Sequence, residues 1–149
     1  MQSKGIGIIE CLVAAVVVGI GFVAVYGLST ASTNVLMSSI EREKANMLSN
    51  MIFEDILTDM ANIKTCPTTC PYNEMNFKSS ASGSTNTYDI KQTKWNTRST
   101  ALLGTATTND VRLIEIDKVG ATSKFEIKIK IHSRNGRVKN EFMRVVNAS

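Results

Sequence analysis

Among residues 1–40 only Lys4 and Glu10 carry charge, and Glu10 opens an uncharged run that continues through Leu28. A carboxylate in an apolar phase costs about 3 kcal/mol and by default marks a functional position in need of a counter-ion. Lys4 is a poor partner, because a separation of six residues puts it on the opposite side of a helix. An α-amino group fits better. A cut after Gly5 would create a new terminus at Ile6, four residues before Glu10 and on the same helical face. That amine and that carboxylate could neutralise each other within one chain or between neighbouring chains. The other reading is a Glu at a headgroup boundary, simply solvated. Spacing alone leaves both open.

Other reactive residue types are few. Cys66 and Cys70 sit in Cys66-Pro67-Thr68-Thr69-Cys70-Pro71, where each Pro biases the residue before it away from helix. Outside the cytoplasm these two thiols could form a small disulfide loop. The alternatives are a metal knuckle, which lacks further ligands, and two free thiols. Cys11 lies inside the apolar run and reads as a small apolar residue. No zinc spacing can be built from Cys11, Cys66, Cys70 and His132, so neither metal nor cofactor is expected. His132 is predicted on the solvent face of a strand with no carboxylate beside it in sequence, and nucleophilic chemistry needs an oriented base. No phosphate-cradling glycine loop appears either, and the expectation is a non-enzyme. The net charge of +4 does not suggest a dedicated nucleic-acid binder. From Lys124 to Arg144, however, seven Lys/Arg face two Asp/Glu. Lys128, Lys130, Arg134, Arg137 and Lys139 are therefore candidates for holding a polyanion such as DNA, through backbone contacts that weaken steeply with salt. A solvated sheet face would carry the same residues.

The elements that must position these residues come in two kinds. Ile6 to Leu28 as a helix would rise roughly 35 Å, enough to cross a hydrocarbon core. A cleaved secretory signal is disfavoured, because its apolar core runs only about 7–15 residues and is not interrupted by a carboxylate. Ser29-Thr30-Ala31 does offer small residues at a cleavage-like spacing. A lipoprotein signal at Cys11 is excluded by Glu10, which stands where a small residue is needed. A retained membrane helix entered from the cytoplasm remains, with Lys4 on the inner side. Beyond it Leu48, Ile52, Ile56 and Met60 recur at i+4 with Met47, Met51 and Ile63 beside them, an amphipathic stripe that needs a surface to pack against. With neither Pro nor Gly between Leu28 and Ile63, a single rod from Ile6 to Ile63 is expected, roughly 87 Å long.

Residues 78–109 are rich in Ser, Thr, Asn and Gly and read as a long surface loop with one short strand near Tyr88–Thr93. Trp95 within it is a lid over the core or a partner contact. Val111–Asp117 is a strand. Phe125, Ile127, Ile129 and Ile131 alternate with Glu126, Lys128, Lys130 and His132, the mark of a half-buried antiparallel strand. Asn135-Gly136 is a two-residue hairpin turn that sets Ile129 opposite Phe142, Ser133 opposite Val138 and Lys130 opposite Glu141. The fold class is therefore α+β: a long N-terminal membrane-spanning helix whose C-terminal half packs on a small antiparallel sheet of three strands. In chain order this divides into a leader (1–5), the apolar helix (6–28), its amphipathic continuation (29–65), a polar loop region containing Cys66 and Cys70 (66–110) and the sheet (111–149).

Lys4-Gly5-Ile6-Gly7-Ile8-Ile9-Glu10, followed by Cys11-Leu12-Val13-Ala14-Ala15, resembles the leader and first turns of type IV prepilins and type II secretion pseudopilins. The stretch from Ala45 to Leu57 is similar to PilV-like minor pilins and the related minor pseudopilins. The resemblance implies a pilin-like fold, leader cleavage between Gly5 and Ile6 by a prepilin peptidase, N-methylation of Ile6, and Glu10 as the assembly carboxylate. Ile6 stands where the family usually has Phe. The mid-helix Pro frequent in major pilins is absent, which together with the PilV-like stretch points to a minor component. The implied partners are other pilin or pseudopilin subunits, the inner-membrane assembly platform and membrane lipid, with DNA as a further candidate for the basic head. The implied location is the bacterial inner membrane, single pass with the head in the periplasm, and then a pilus or pseudopilus. An unrelated single-pass anchor for an extracytoplasmic domain would show neither cleavage nor polymer.

Overall fold

The computed structural model describes residues 7–66, 70–80 and 86–147. Its elements are α1 (Ile8–Leu57), α2 (Met60–Ile63), β1 (Met75–Asn76), α3 (Thr87–Leu103), β2 (Val111–Lys118), β3 (Lys124–Ser133) and β4 (Val138–Asn147). The chain divides into two compact units, Met1–Ser39 and Ile40–Ser149. The class is α+β, with a long N-terminal apolar helix and an antiparallel sheet, the architecture the pilin resemblance implies.

In the second unit, α1 buries Ala45, Leu48, Ser49, Ile52, Phe53 and Ile56 in one core with Ile114 and Ile116 of β2 and Phe125, Ile127, Ile129 and Ile131 of β3. The stripe is narrower than the sequence suggests. Met47 is 62% exposed, and the large buried side chain beside Ile52 is Phe53. Arg144 of β4 crosses to α1, lying 4.8 Å over the Phe53 ring and donating to Glu54 and Asn50.

The expected rod stops short of Ile63, because α1 ends at Leu57. Thr58 Oγ1 donates to the Asp55 carbonyl (2.9 Å), and the Asp59 N–H tightens onto Ile56 O (2.9 Å). The Asp59 carboxylate then accepts from Asn62 and from the Tyr72 hydroxyl, both at 2.6 Å. Short polar side chains that bond the local backbone compete with helix continuation.

The largest departure from the sequence reading is α3, a helix of 17 residues across the segment read as a loop with a strand at Tyr88–Thr93. Asn86 caps it by accepting from the Tyr88 N–H (3.1 Å), Asp89 lies in its first turn, and Gly104 ends it at φ 86°. Its inward stripe of Tyr88, Trp95, Ser99 and Leu102 has helical spacing. Trp95 is fully buried against Tyr72 and Phe77, with ring centroids 6.1 and 6.4 Å away.

Both long helices end without a cation of their own, and each borrows one. Lys91 Nζ of α3 donates to the Asp55 carbonyl at the end of α1 (3.1 Å) and to the Tyr72 hydroxyl (2.6 Å). Arg112 of β2, 2% exposed, donates to Ser99 Oγ (2.7 Å) and to the Gly104 carbonyl (2.5 Å) at the end of α3. Positive charge at a helix carboxyl end is favourable.

Among the described residues the sheet has four strands rather than three, in the order β1-β2-β3-β4. The short β1 closes one flank of β2, pairing Met75 with Ile114 and Asn76 with Leu113. Asn73 Oδ1 accepts the Ile116 N–H (3.0 Å), and the Phe77 N–H reaches Arg112 O (3.0 Å). On the other flank β4 is the edge. The β3–β4 register is the expected one: Ile129 opposes Phe142, Ser133 opposes Val138 and Lys130 opposes Glu141. Lys130, however, forms its ion pair with Glu115 of β2 (2.7 Å) and not with Glu141.

Asp55 is the junction of α1 and α3. Its carboxylate accepts from Lys94 Nζ (2.8 and 2.9 Å) and from Trp95 Nε1 (2.8 Å). Burial pushes its carboxyl up, but the bonds from Lys94 and Trp95 and the charges of Lys94 and Lys91 outweigh burial and hold it below the ordinary value. Asp59 is held low first by the Tyr72 hydroxyl, against burial, with help from Asn62 and Lys91. Carboxyls that are lowered in the folded state stabilise fully above their unfolded value, and that contribution is lost as pH falls through the folded one. The thermal midpoint of the chain in detergent should hold from neutral pH to about 5 and then drop. Asp55→Asn should cost about 2 kcal/mol at neutral pH and shrink that acid limb, read by circular dichroism melts across pH.

Candidate functional site

The candidate site is the amino-terminal part of α1. Its apolar side chains are exposed on all sides, from Ile8, Leu12 and Val17 to Phe22 and Tyr26. A helix that is apolar around its whole circumference belongs in a protein interior or a membrane, and this one is long and apolar enough to cross a bilayer. Just past the apolar run, Thr30 Oγ1 donates to the Tyr26 carbonyl (3.0 Å) and Thr33 Oγ1 to the Ser29 carbonyl (2.9 Å). These hydroxyls satisfy themselves on the helix and ask nothing of the surroundings.

Gly7 is the residue from which α1 starts. Its carbonyl accepts from the N–H groups of Glu10 (3.0 Å) and Cys11 (3.2 Å). Glu10 Oε2 in turn accepts the Gly7 N–H at 3.1 Å. This is half of a capping box, in which the third helical residue reaches back to the N-cap nitrogen. The negative charge also sits at the positive end of the helix dipole. Glu10 therefore has a local partner that the sequence reading did not consider. Gly5 and Ile6, the expected cleavage and methylation positions, lie outside the described residues, as does Lys4.

No protein-family model, no curated protein and no solved structure matches this chain.

The remaining candidates are scattered. Cys66 and Cys70 are joined by a disulfide directly after α2, and Cys11 is the free, exposed cysteine of the apolar helix. The five basic residues do not make one bare patch. Lys128 contacts Glu126 (2.6 Å) and Asp117 (3.6 Å), and the Glu126 hydrogen bond above all raises its ammonium above the ordinary value. Lys130 contacts Glu115 (2.7 Å), and Arg134 turns to Glu41 of α1 (3.0 Å). Arg137 and Lys139 are exposed. His132 is not the open solvent-face residue expected. Its side chain is 15% exposed, and its Nε2 lies 3.9 Å from Glu141 Oε1. Among the described residues no cluster of three or more His, Cys, Asp or Glu could hold a metal ion.

Cys11 provides a direct test of the apolar helix. With Cys66 and Cys70 bonded to each other, a membrane-impermeant maleimide should leave Cys11 unlabelled in intact membranes and label it once the membranes are dissolved in denaturing detergent. Full labelling in intact vesicles, from either side, would place Cys11 in water.

Proposed function

We propose that this chain is a structural subunit, a minor pilin or minor pseudopilin, inserted in the bacterial inner membrane by the apolar part of α1 with its head in the periplasm. The observation that carries the proposal is a lone carboxylate at the start of an otherwise uncharged membrane-length helix, one helical turn after a Gly-Ile junction. The Cys66–Cys70 disulfide supports a head outside the reducing cytoplasm. An amphipathic α1 laid on a small antiparallel sheet supports the pilin architecture. The role is assembly rather than catalysis.

A prepilin peptidase removes the leader after Gly5 and frees the Ile6 amine, which is then methylated. The new amine, four residues before the carboxylate that caps Gly7, competes for it. On the assembly platform the apolar helices exchange lipid for one another. That exchange gains little from the hydrophobic effect and depends on close van der Waals packing, for which Ala14, Ala15, Gly19 and Gly21 leave room. Glu10 takes the terminal amine of a neighbour as its counter-ion, and this pair sets the register.

Amino-terminal sequencing of the protein from its native membrane should begin at Ile6; chains that retain Met1 while the peptidase is active would defeat the proposal. Two substitutions separate the two roles of Glu10. Glu10→Gln keeps an oxygen for the Gly7 N–H but loses the charge, and Glu10→Ala loses both. Each should still insert in the membrane, and each should be lost on immunoblots from the assembled pilus or pseudopilus fraction that retains the parent chain. Normal incorporation of Glu10→Gln would reduce Glu10 to a helix cap.

A further inference from the structure

The turn between β3 and β4 runs through left-handed backbone at three successive positions. Arg134, Asn135 and Gly136 follow one another at φ 55°, 59° and 77°, a run in which Asn and Gly are the residues best tolerated. A Cβ on residue 136 would come 3.0 Å from the Asn109 carbonyl oxygen, so glycine is needed for space as well as for conformation. The shape of the tip thus requires Gly at 136 and favours Asn at 135. This is also the pairing most prone to lose its side-chain amide, since glycine leaves the following backbone nitrogen unshielded for attack on the carboxamide carbon.

Here both reacting groups are already held. The Gly136 N–H donates to Asp110 Oδ1 (3.2 Å), and Asp110 also accepts the backbone N–H of Asn135. Asp110 is itself buried, with its other oxygen fixed by the Thr107 N–H (2.7 Å) and hydroxyl (2.8 Å). Asn109 Nδ2 donates to Asn135 Oδ1 at 2.7 Å and anchors the carboxamide. The tip is in turn fastened to α1, where Glu41 takes the Ser133 hydroxyl (3.1 Å) and Arg134 Nε (3.0 Å).

We propose that Asn135 is a latent deamidation site, restrained by Asp110 and Asn109, whose conversion to aspartate or isoaspartate loosens the hairpin tip from α1. In this step the Gly136 nitrogen gives up its proton to hydroxide and attacks Cγ of Asn135. The Cγ–Nδ2 bond breaks, and the nitrogen leaves as ammonia after taking a proton from water. Water then opens the resulting succinimide at either carbonyl, so the net change is one water consumed and one ammonia released. The product puts a carboxylate where Asn109 held the carboxamide, in a turn whose backbone N–H groups Asp110 binds. In the isoaspartyl form it also adds a main-chain carbon to a turn closed by the Arg137 N–H on the Arg134 carbonyl.

The full chain in detergent is aged in mildly alkaline buffer, with and without denaturant, and the peptide spanning residues 134–139 is followed by mass spectrometry that resolves aspartate from isoaspartate. Native chain should convert about tenfold more slowly than denatured chain, the factor expected for one hydrogen bond to a charged group. Native Asp110→Ala and Asn109→Ala should move toward the denatured rate, while Arg137→Ala, in the same turn, should match the parent. If Asp110→Ala does not fold, the Asn109 variant and the native-to-denatured comparison on the parent still decide. Equal native and denatured rates, or an Arg137→Ala effect as large as that of Asn109→Ala, would overturn the restraint. Converted chain should exchange its α1 amides around Glu41 faster than unconverted chain, and identical exchange would overturn the loosening.

Discussion

A helix cannot satisfy the carbonyls at its own carboxyl end, and the head of this protein is organised around meeting that need from elsewhere. Neither α1 nor α3 carries a basic residue in its last turn. The ammonium of Lys91 closes the first helix, and the guanidinium of Arg112 closes the second. Because each cation belongs to a different element, closing a helix also docks that element. Lys91 brings α3 against the end of α1, and Arg112 ties β2 to the end of α3. Fixed in this way, the apolar faces of α1, β2 and β3 can bury one another without leaving polar ends behind.

The aromatic cluster depends on the same arrangement. Tyr72, Tyr88, Trp95 and Phe77 pack at ring distances of 5.3–6.4 Å, yet two of them carry polar atoms into the interior. Trp95 Nε1 finds Asp55, and the Tyr72 hydroxyl lies between Asp59 and Lys91. Burial and then the Asp59 carboxylate drive the Tyr72 phenol well above its ordinary value, so it stays a donor at any physiological pH. Buried tyrosine and tryptophan stabilise a core only when such partners exist.

What could be read from the sequence follows from how local each signal is. The alternation of β3 and the Asn135-Gly136 turn are properties of neighbouring residues, and together they give the β3–β4 register directly. The apolar helix announces itself by length. The segment now seen as α3 was obscured by its Thr, Asn and Ser content, which resembles a loop, although Asn86, Asp89 and Gly104 supplied start and stop signals around a stretch free of Gly and Pro. The end of α1 at Leu57 was hidden because it depends on Tyr72 and Asn62 engaging Asp59, and the first of these comes from a distant part of the chain. Lys128, Lys130 and Arg134 looked like a basic strip because their carboxylates lie on other strands, on α1 or two positions along the same strand. Glu10 was legible as an anomaly, but its bond to Gly7 N–H required knowing where the helix begins.

The two flanks of the sheet are not equivalent. One is finished by a two-residue strand with Asn73 and Phe77 filling in the backbone bonds around it, while β4 presents ten residues with no further strand beside it among the described residues. A short, plugged border is a poor template for another chain, whereas a long one is a good template. Among the described residues β4 is therefore the side on which crowded copies could zip together. Pairing along β4 would join two copies and present only the short, plugged borders to a third.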